Sequence, residues 1–250
     1  MTIIKNKNLA ILIPAAGKGS RSMLKYPKTL YKVKKIPIIV RIIKKLSKYS
    51  NNISVVINPN FNIEFLKTLN DYDMPKIEYL FQNNPKGMGD AVIKFKKSKF
   101  KKKITDILLV LSDIPYISRS SIDLILTKHF KDDNFMTILR YYSNNPYTFI
   151  NKDKKGLVKS VIETHKNKKK YKFGERDIGV FVFKKELLNH LNQKFTNKQE
   201  HNFLYVIKKL YKLRYKIKSL PIAKKNETIS LNYINDLVWN VSLFFNIFTY

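Results

Sequence analysis

The strand-to-loop passage at residues 9–28, LAILIPAAGKGSRSMLKYPK, constrains the fold of this chain more than any other stretch. Leu9 to Ile13 is an unbroken apolar run of strand length, which reads as a β-strand covered on both faces. It breaks at Pro14-Ala15-Ala16 into Gly17-Lys18-Gly19-Ser20-Arg21. Small residues directly after a strand let backbone N–H groups close around an anion such as phosphate. Gly17 and Gly19 can take φ values that other residues avoid and leave room for a ligand. Arg21 adds a planar fork of donors, and Lys18 and Lys28 add point charges. Such charge suits chemistry on a triphosphate. An ordinary glycine-containing βα turn would show the same small residues. The spacing is not that of the Walker loop. Ser22 stands where the dinucleotide fingerprint has its third glycine.

The rest of the first half alternates in the same manner. Leu9–Ile13, Ile53–Ile57, Lys76–Phe81 and Ile107–Leu111 read as strands; Pro37–Tyr49, Phe61–Asn70 and Gly89–Lys97 read as helices. In the first helix Ile38, Ile39, Ile42, Ile43 and Leu46 recur at helical spacing, with Arg41, Lys44 and Lys45 outside. Alternating β and α segments predict an α/β fold with a mostly parallel sheet and helices on both faces. Ligands of such sheets sit beyond the carboxyl ends of the strands, where the glycine loop lies. In the second half Met136–Tyr142, Thr148–Ile150, Leu157–Glu163 and Ile178–Phe183 read as strands, Lys185–Leu191 and Phe203–Tyr211 as helices. They suggest a small mixed subdomain over the sheet. Residues 1–237 read as one domain, followed by an apolar tail at 238–250.

With 49 Lys and Arg against 18 Asp and Glu, the net charge of +31 favours anionic partners. The lysines are scattered over every helix rather than gathered in one block, which argues against specific nucleic-acid binding. The absence of cysteine excludes disulfides and thiol catalysis. No apolar run approaches the ~20 residues needed to span a bilayer. The N-terminus lacks a signal-peptide pattern, so the expected location is cytoplasmic. The four His show no metal-ligand spacing, and no Ser/His/Asp order points to a hydrolase.

Other chemistry-bearing residues follow predicted strands. Asp113, in Ser112-Asp113-Ile114-Pro115, is placed either to hold a hard cation or to cap a turn. Gln82, in Gln82-Asn83-Asn84-Pro85-Lys86-Gly87-Met88-Gly89-Asp90-Ala91, can donate and accept at a base edge, or the segment is a plain loop before a helix. Glu163 by itself reads as a solvated charge. Asn232, before an apolar run, reads as a helix N-cap.

Taken together these segments resemble the sugar-nucleotidyltransferase signature. IPAAGKGSR followed by Pro27-Lys28 is similar to [LI]-x-A-[AG]-G-x-G-[ST]-R and P-K, most of all as found in the N-terminal uridylyltransferase domain of bifunctional N-acetylglucosamine-1-phosphate enzymes. LSDIP resembles L-x-G-D-x-P, with Ser112 at the glycine. Gln82 and Gly87 match Q-x-x-x-x-G-T, with Met88 at the threonine. VKSVIE resembles V-x-x-I-[VI]-E, and ERDIGV resembles E-x-N-T-G-[IV], with Asp177 at the asparagine. Thr148 falls within the segment matching G-Y-G-R, and SLNYINDL resembles G-V-N-[TN]-R-x-x-L. The resemblance runs from about Leu9 to Leu237.

The resemblance implies a Rossmann-like, glycosyltransferase-A-like nucleotidyltransferase fold. It implies transfer of a nucleotidyl group from an NTP, UTP first, to a sugar 1-phosphate such as N-acetylglucosamine 1-phosphate, with release of pyrophosphate. Arg21 and Lys28 would be catalytic. Ala15, Ala16, Gly17, Lys18, Gly19, Ser20, Gln82, Gly87 and Met88 would bind the nucleotide. Thr148, Glu163 and Asp177 would bind the sugar, and Asp113 and Asn232 would hold Mg²⁺. The acetyltransferase repeats of the bifunctional enzymes do not occur here, so that second activity is expected to be absent. Two rivals stand beside this reading: a non-sugar acceptor such as phosphocholine, and a catalytically silent nucleotide- or polyanion-binding protein. The tail Trp239–Tyr250, WNVSLFFNIFTY, is too apolar for one amphipathic face. It is expected to pack on the sheet, to self-associate or to touch a membrane surface.

Overall fold

The computed structural model describes residues 5–17, 23–164, 171–191, 202–222 and 224–231. The apolar run after residue 8 forms β1, Leu9–Pro14, and its side chains divide by parity. Leu9, Ile11 and Ile13 enter one core cluster; Ala10 and Leu12 enter the other, on the opposite face. A short hairpin, β2 (Lys32–Val33) and β3 (Ile36–Pro37), leads into α1, Ile38–Leu46. All six apolar residues of α1 are buried, and Pro37 stands just before its first turn, where a missing N–H costs nothing. The chain then builds β4 (Asn52–Ile57), α2 (Asn62–Asn70), β5 (Ile77–Phe81), α3 (Met88–Lys94) and β6 (Asp106–Val110).

Next comes α4, Arg119–Lys131, which the helical reading above does not include. Its signals are present in the sequence. Ser118 caps it by accepting from Ser121 N at 3.1 Å, and Ile122, Ile125, Leu126 and His129 form its buried stripe. The remaining elements are β7 (Met136–Asn144), β8 (Thr148–Lys152), β9 (Val158–Glu163), β10 (Phe173–Lys184), α5 (Leu187–His190), α6 (Tyr205–Lys212) and β11 (Ile217–Pro221).

Seven strands form one sheet in the order β11-β7-β10-β6-β1-β4-β5. Every neighbouring pair is parallel except the two made by β10, which runs antiparallel between β6 and β7. Helices α1, α2 and α4 cover one face, and α3, α5 and α6 cover the other. The predicted α/β class with a mostly parallel, two-sided sheet is therefore the observed one. The strands read at Met136 and Ile178 belong to this main sheet. Of the described second-half strands only β8 and β9 stand apart, as an antiparallel ribbon, as the β2–β3 hairpin does in the first half. β10 begins five residues before the predicted strand, because residues 173–177 pair with the far end of β7.

Two features of this topology place the site. The strand order reverses at β1, which has β4 on one side and β6 on the other; this is the switch point of an open α/β sheet. In β10 the register slips between Asp177 and Phe181. Gly179 sits in that irregularity with φ +77°, and a Cβ there would come within 2.5 Å of Leu111 Cδ1. The irregularity is thus fitted against the end of β6, and Gly179 O accepts from Leu111 N at 2.9 Å. Among the described residues no helix is long and apolar enough to cross a membrane. The apolar tail lies outside the described residues.

Candidate active site

The carboxyl ends of β1 and β6 bring Lys28 and Asp113 together. Lys28 opens a 3₁₀ turn, Lys28–Leu30, and its Nζ lies 2.8 Å from Asp113 Oδ2. The two residues are 85 positions apart in the chain. Both side chains are partly buried, which strengthens their attraction relative to an exposed pair. Ser230 Oγ donates to the same Asp113 oxygen at 3.1 Å, and Leu231 N donates to Asp113 O at 3.0 Å. The segment after β11 therefore returns to the switch point just before Asn232, which itself lies outside the described residues. Ser112, at the glycine position of the resembling motif, is buried and is not among the residues with positive φ. Serine meets no backbone strain there.

Asp113 Oδ1 is buried and, among the described residues, has no hydrogen-bond partner. A buried carboxylate oxygen with an unused lone pair suits a hard cation. Among the described residues no three His, Asp or Glu side chains are grouped so that they could hold a metal ion between them. Mg²⁺ is nevertheless ordinarily held by one or two carboxylates together with phosphate oxygens and water. The donor set fits such an ion, with Asp113 as its carboxylate.

On the other side of the switch point, Ala15 N donates to Val56 O at 2.7 Å, so the β1–β4 ladder runs one residue past β1. Ala15 and Ala16 are buried, each in a different core cluster. Among the described residues nothing lies within 4 Å of the place a Gly17 Cβ would occupy, and its φ is not positive, so the expected left-handed backbone is not what calls for glycine at 17. Lys18, Gly19, Ser20 and Arg21 lie outside the described residues.

Gln82 follows β5 and is 2% exposed. Its backbone N donates to Ile57 O at 2.9 Å, and its side-chain Nε2 donates to Asp90 Oδ2 at 2.6 Å. An ionised carboxylate only accepts, so Asp90 determines which end of the amide turns toward it. Gln82 Oε1 accepts from no described residue. Gly87, with φ +105°, precedes the first helical residue of α3, Met88, which packs partly buried against the core. The left-handed backbone explains glycine at 87.

The three residues read as sugar-binding also converge. Thr148 and Glu163 are register partners across β8 and β9. Thr148 Oγ1 donates to Asp177 Oδ2 at 2.6 Å and accepts from Asp177 N at 3.3 Å. Asp177 Oδ1 accepts from Gly179 N at 3.0 Å. Burial pushes the Asp177 carboxyl above the usual carboxylate range, against those hydrogen bonds and the nearby Arg176 charge, which pull the other way. Next to it, Glu175 is held by Arg140 at 2.7 Å and by Lys152. Through Gly179 and Leu111 this corner is continuous with the end of β6, three residues before Asp113.

One residue that sequence reasoning passed over organises the return segment. Glu227 is fully buried; its carboxylate accepts from Ser118 N at 3.0 Å, and from Ser118 Oγ, Ser121 Oγ and Lys224 N at 2.8–2.9 Å. It clamps residues 224–231 onto the N-terminus of α4, where negative charge is favoured. Its only sequence signal is an acidic residue in a basic stretch, Lys224-Lys225-Asn226-Glu227.

The chain is 30% identical over 199 residues to the Bifunctional protein GlmU of Buchnera aphidicola subsp. Schizaphis graminum, covering 77% of this chain and 42% of that protein. It is 27% identical over 232 residues to the Bifunctional protein GlmU of Thermodesulfovibrio yellowstonii, covering 89% of this chain and 49% of that protein. The chain thus spans about half the length of these curated relatives. A Bacillus anthracis protein assigned as a glucose-1-phosphate thymidylyltransferase superposes with TM-score 0.74 at 15% identity, covering 94% of both chains. HddC from Yersinia pseudotuberculosis superposes with TM-score 0.65 at 18% identity, covering 94% of this chain and 99% of that one. These two likenesses concern the fold. The family described as Nucleotidyl transferase matches residues 10–223, and the chain belongs to that family.

Proposed function

We propose that the protein transfers a nucleotidyl group from an NTP, UTP first, to a sugar 1-phosphate, with N-acetylglucosamine 1-phosphate as the leading acceptor. The observation that carries this reading is the Lys28–Asp113 pair at the switch point, with Asp113 Oδ1 buried and available. An oxygen of the acceptor phosphate attacks the α-phosphorus, the bond to the β-phosphate oxygen breaks, and pyrophosphate leaves. No protein nucleophile is needed; positioning and charge neutralisation suffice. Lys28 neutralises charge at the reacting phosphates. Arg21 and Lys18 hold the triphosphate, with backbone N–H groups of Gly17, Gly19 and Ser20. Asp113 and Asn232 hold Mg²⁺, which when bound neutralises phosphate charge. Gln82 Oε1, turned away from Asp90, accepts from uracil N3–H, a donor that cytosine lacks at that position.

The sugar would meet Thr148, Glu163 and Asp177. Both Asp177 oxygens already accept hydrogen bonds from the chain itself. That observation favours, as a second reading, a smaller phosphorylated acceptor such as phosphocholine. Pyrophosphate release measured across four NTPs and a panel of sugar phosphates plus phosphocholine tests both. Release with UTP and a sugar 1-phosphate supports the first reading, release only with phosphocholine the second. No release with any pair overturns both and leaves a silent nucleotide-binding protein.

A further inference from the structure

Along the outer flank of α1 lies a cavity of about 740 Å³, bounded also by the start of α4 and the irregular segment at 73–75. Lys5, Arg41, Lys44, Lys45, Lys48 and Arg119 line it, with Asp73 as the only acidic residue of the lining. Lys and Arg make up about one in five residues of the chain, 49 of 250, but half of the twelve around this cavity. The scattered lysines of the sequence therefore do not account for it. None of the residues assigned to nucleotide, sugar or metal lines it.

The cations are poorly compensated. Among the described residues, the side chains of Arg41, Lys48 and Arg119 have no hydrogen bond or ion pair. Lys45 Nζ donates to a neutral acceptor, Ile117 O. Lys44 lies over the Tyr72 ring, 5.7 Å from its centroid, and Lys5 donates to Asn51 Oδ1 at 2.7 Å. Beyond Asp73, the acidic group acting on Lys45 is Glu227, which is already held by Ser118, Ser121 and the Lys224 backbone. Burial, Arg41 and Arg119 together push the Lys45 ammonium below its usual range despite Glu227. Like charges gathered in a concave, partly desolvated space raise the local potential and concentrate anions. The volume lies within the range of small-molecule pockets.

We propose that this cavity is a second anion site, taking a small ligand that carries two or more phosphate groups. Six cations spread around one hollow exceed what a single phosphate needs, and the two guanidinium forks suit phosphate oxygens. The site's chemistry is shared by free polyphosphate and by a bisphosphorylated metabolite.

Calorimetric titration of the full chain carrying Arg21→Ala, which weakens the loop site, isolates this cavity. Inorganic tripolyphosphate and a sugar bisphosphate are the probes, and the tighter of the two identifies the source. One molecule is expected to bind per chain, and adding Arg41→Gln and Lys48→Gln should weaken it about tenfold or more, as loss of charge-assisted contacts does. Arg119→Gln, on a different helix, should act in the same direction. Both sets are judged on chains with unchanged circular dichroism. Binding untouched by either set overturns the proposal. Equal weakening by Lys101→Gln, Lys102→Gln and Lys103→Gln, away from the cavity, also overturns it, since net charge would then be the cause. Displacement of the probes by a single-stranded RNA at lower concentration, lost with the same cavity substitutions, overturns the small-ligand assignment in favour of nucleic acid.

Discussion

Gln82 donates its side-chain amide to Asp90 over 2.6 Å, and that bond decides which end of the amide faces away from the helix. Asp90 sits in the first turn of α3 and is itself 3.8 Å from Lys94, one helical turn on. An Asp90→Asn chain can satisfy Gln82 in either orientation. The preference for UTP over CTP should then fall by about tenfold in kcat/KM, the scale of losing one positioned polar contact. The ratio of kcat/KM for the two nucleotides measures it. An unchanged ratio would detach Gln82 from base selection.

Lys28→Ala and Asp113→Ala should each lower turnover by about 10²–10³-fold, the scale of removing one preorganised electrostatic partner. Asp113→Ala should in addition abolish the dependence of the remaining rate on Mg²⁺. Rates of pyrophosphate release against metal concentration, on chains with matched thermal melts, give the answer. Full activity in a folded Asp113→Ala protein rules out the metal role.

Glu227→Ala removes a buried acceptor from four donors. The cost should be about 3 kcal/mol, since several donors lose their partner at once. Urea denaturation reads this directly. Because the same segment carries Ser230 and Leu231 to Asp113, the apparent Mg²⁺ affinity should fall as well. A stability loss with an unaltered Mg²⁺ response would restrict Glu227 to capping α4.

Gly179→Ala should destabilise the chain by at least ~1–2 kcal/mol, the penalty for a non-glycine residue in left-handed backbone. The new Cβ would also meet Leu111 within 2.5 Å. Since Leu111 lies two residues before Asp113, activity should drop alongside the melting temperature. A variant that melts like the parent would mean the β10 irregularity can relax.

The raised Asp177 pKa has a definite sign. Between the ordinary carboxylate value of 3.8 and the higher native value, the folded chain binds more protons than the unfolded one. The contribution of this group is thus fully present below that window and is lost as pH rises through it. Asp177→Asn carries no such proton. It should be more stable than the parent above the window and show a flatter stability–pH curve across it. Denaturation midpoints of the two chains over a pH series test this, and parallel curves would contradict it.

The local elements of the first half were legible because their signals are local. Leu9–Pro14 is apolar at every position but the last, α1 carries a complete helical stripe, and both read correctly from spacing alone. The motifs that carry the family resemblance are legible for a similar reason, as short strings at strand ends. What spacing could not supply was partnership. Lys28 and Asp113 are 85 positions apart, and nothing in either segment says that β6 lies beside β1. Strand order comes from which faces can be buried together, a property of the whole sheet. For the same reason residues 173–177 did not read as strand: Phe173 to Asp177 pair only because β7 extends that far. Glu227 carries no local sign of burial; α4 and the return segment close over it only in the fold. The cationic hollow is the clearest case. Arg41, Lys44 and Lys45 were visible as the outer face of a helix, but only folding sets Lys5, Lys48 and Arg119 around the same space. Sequence spacing determines which face of one element a charge occupies; the packing of several elements decides whether those charges meet.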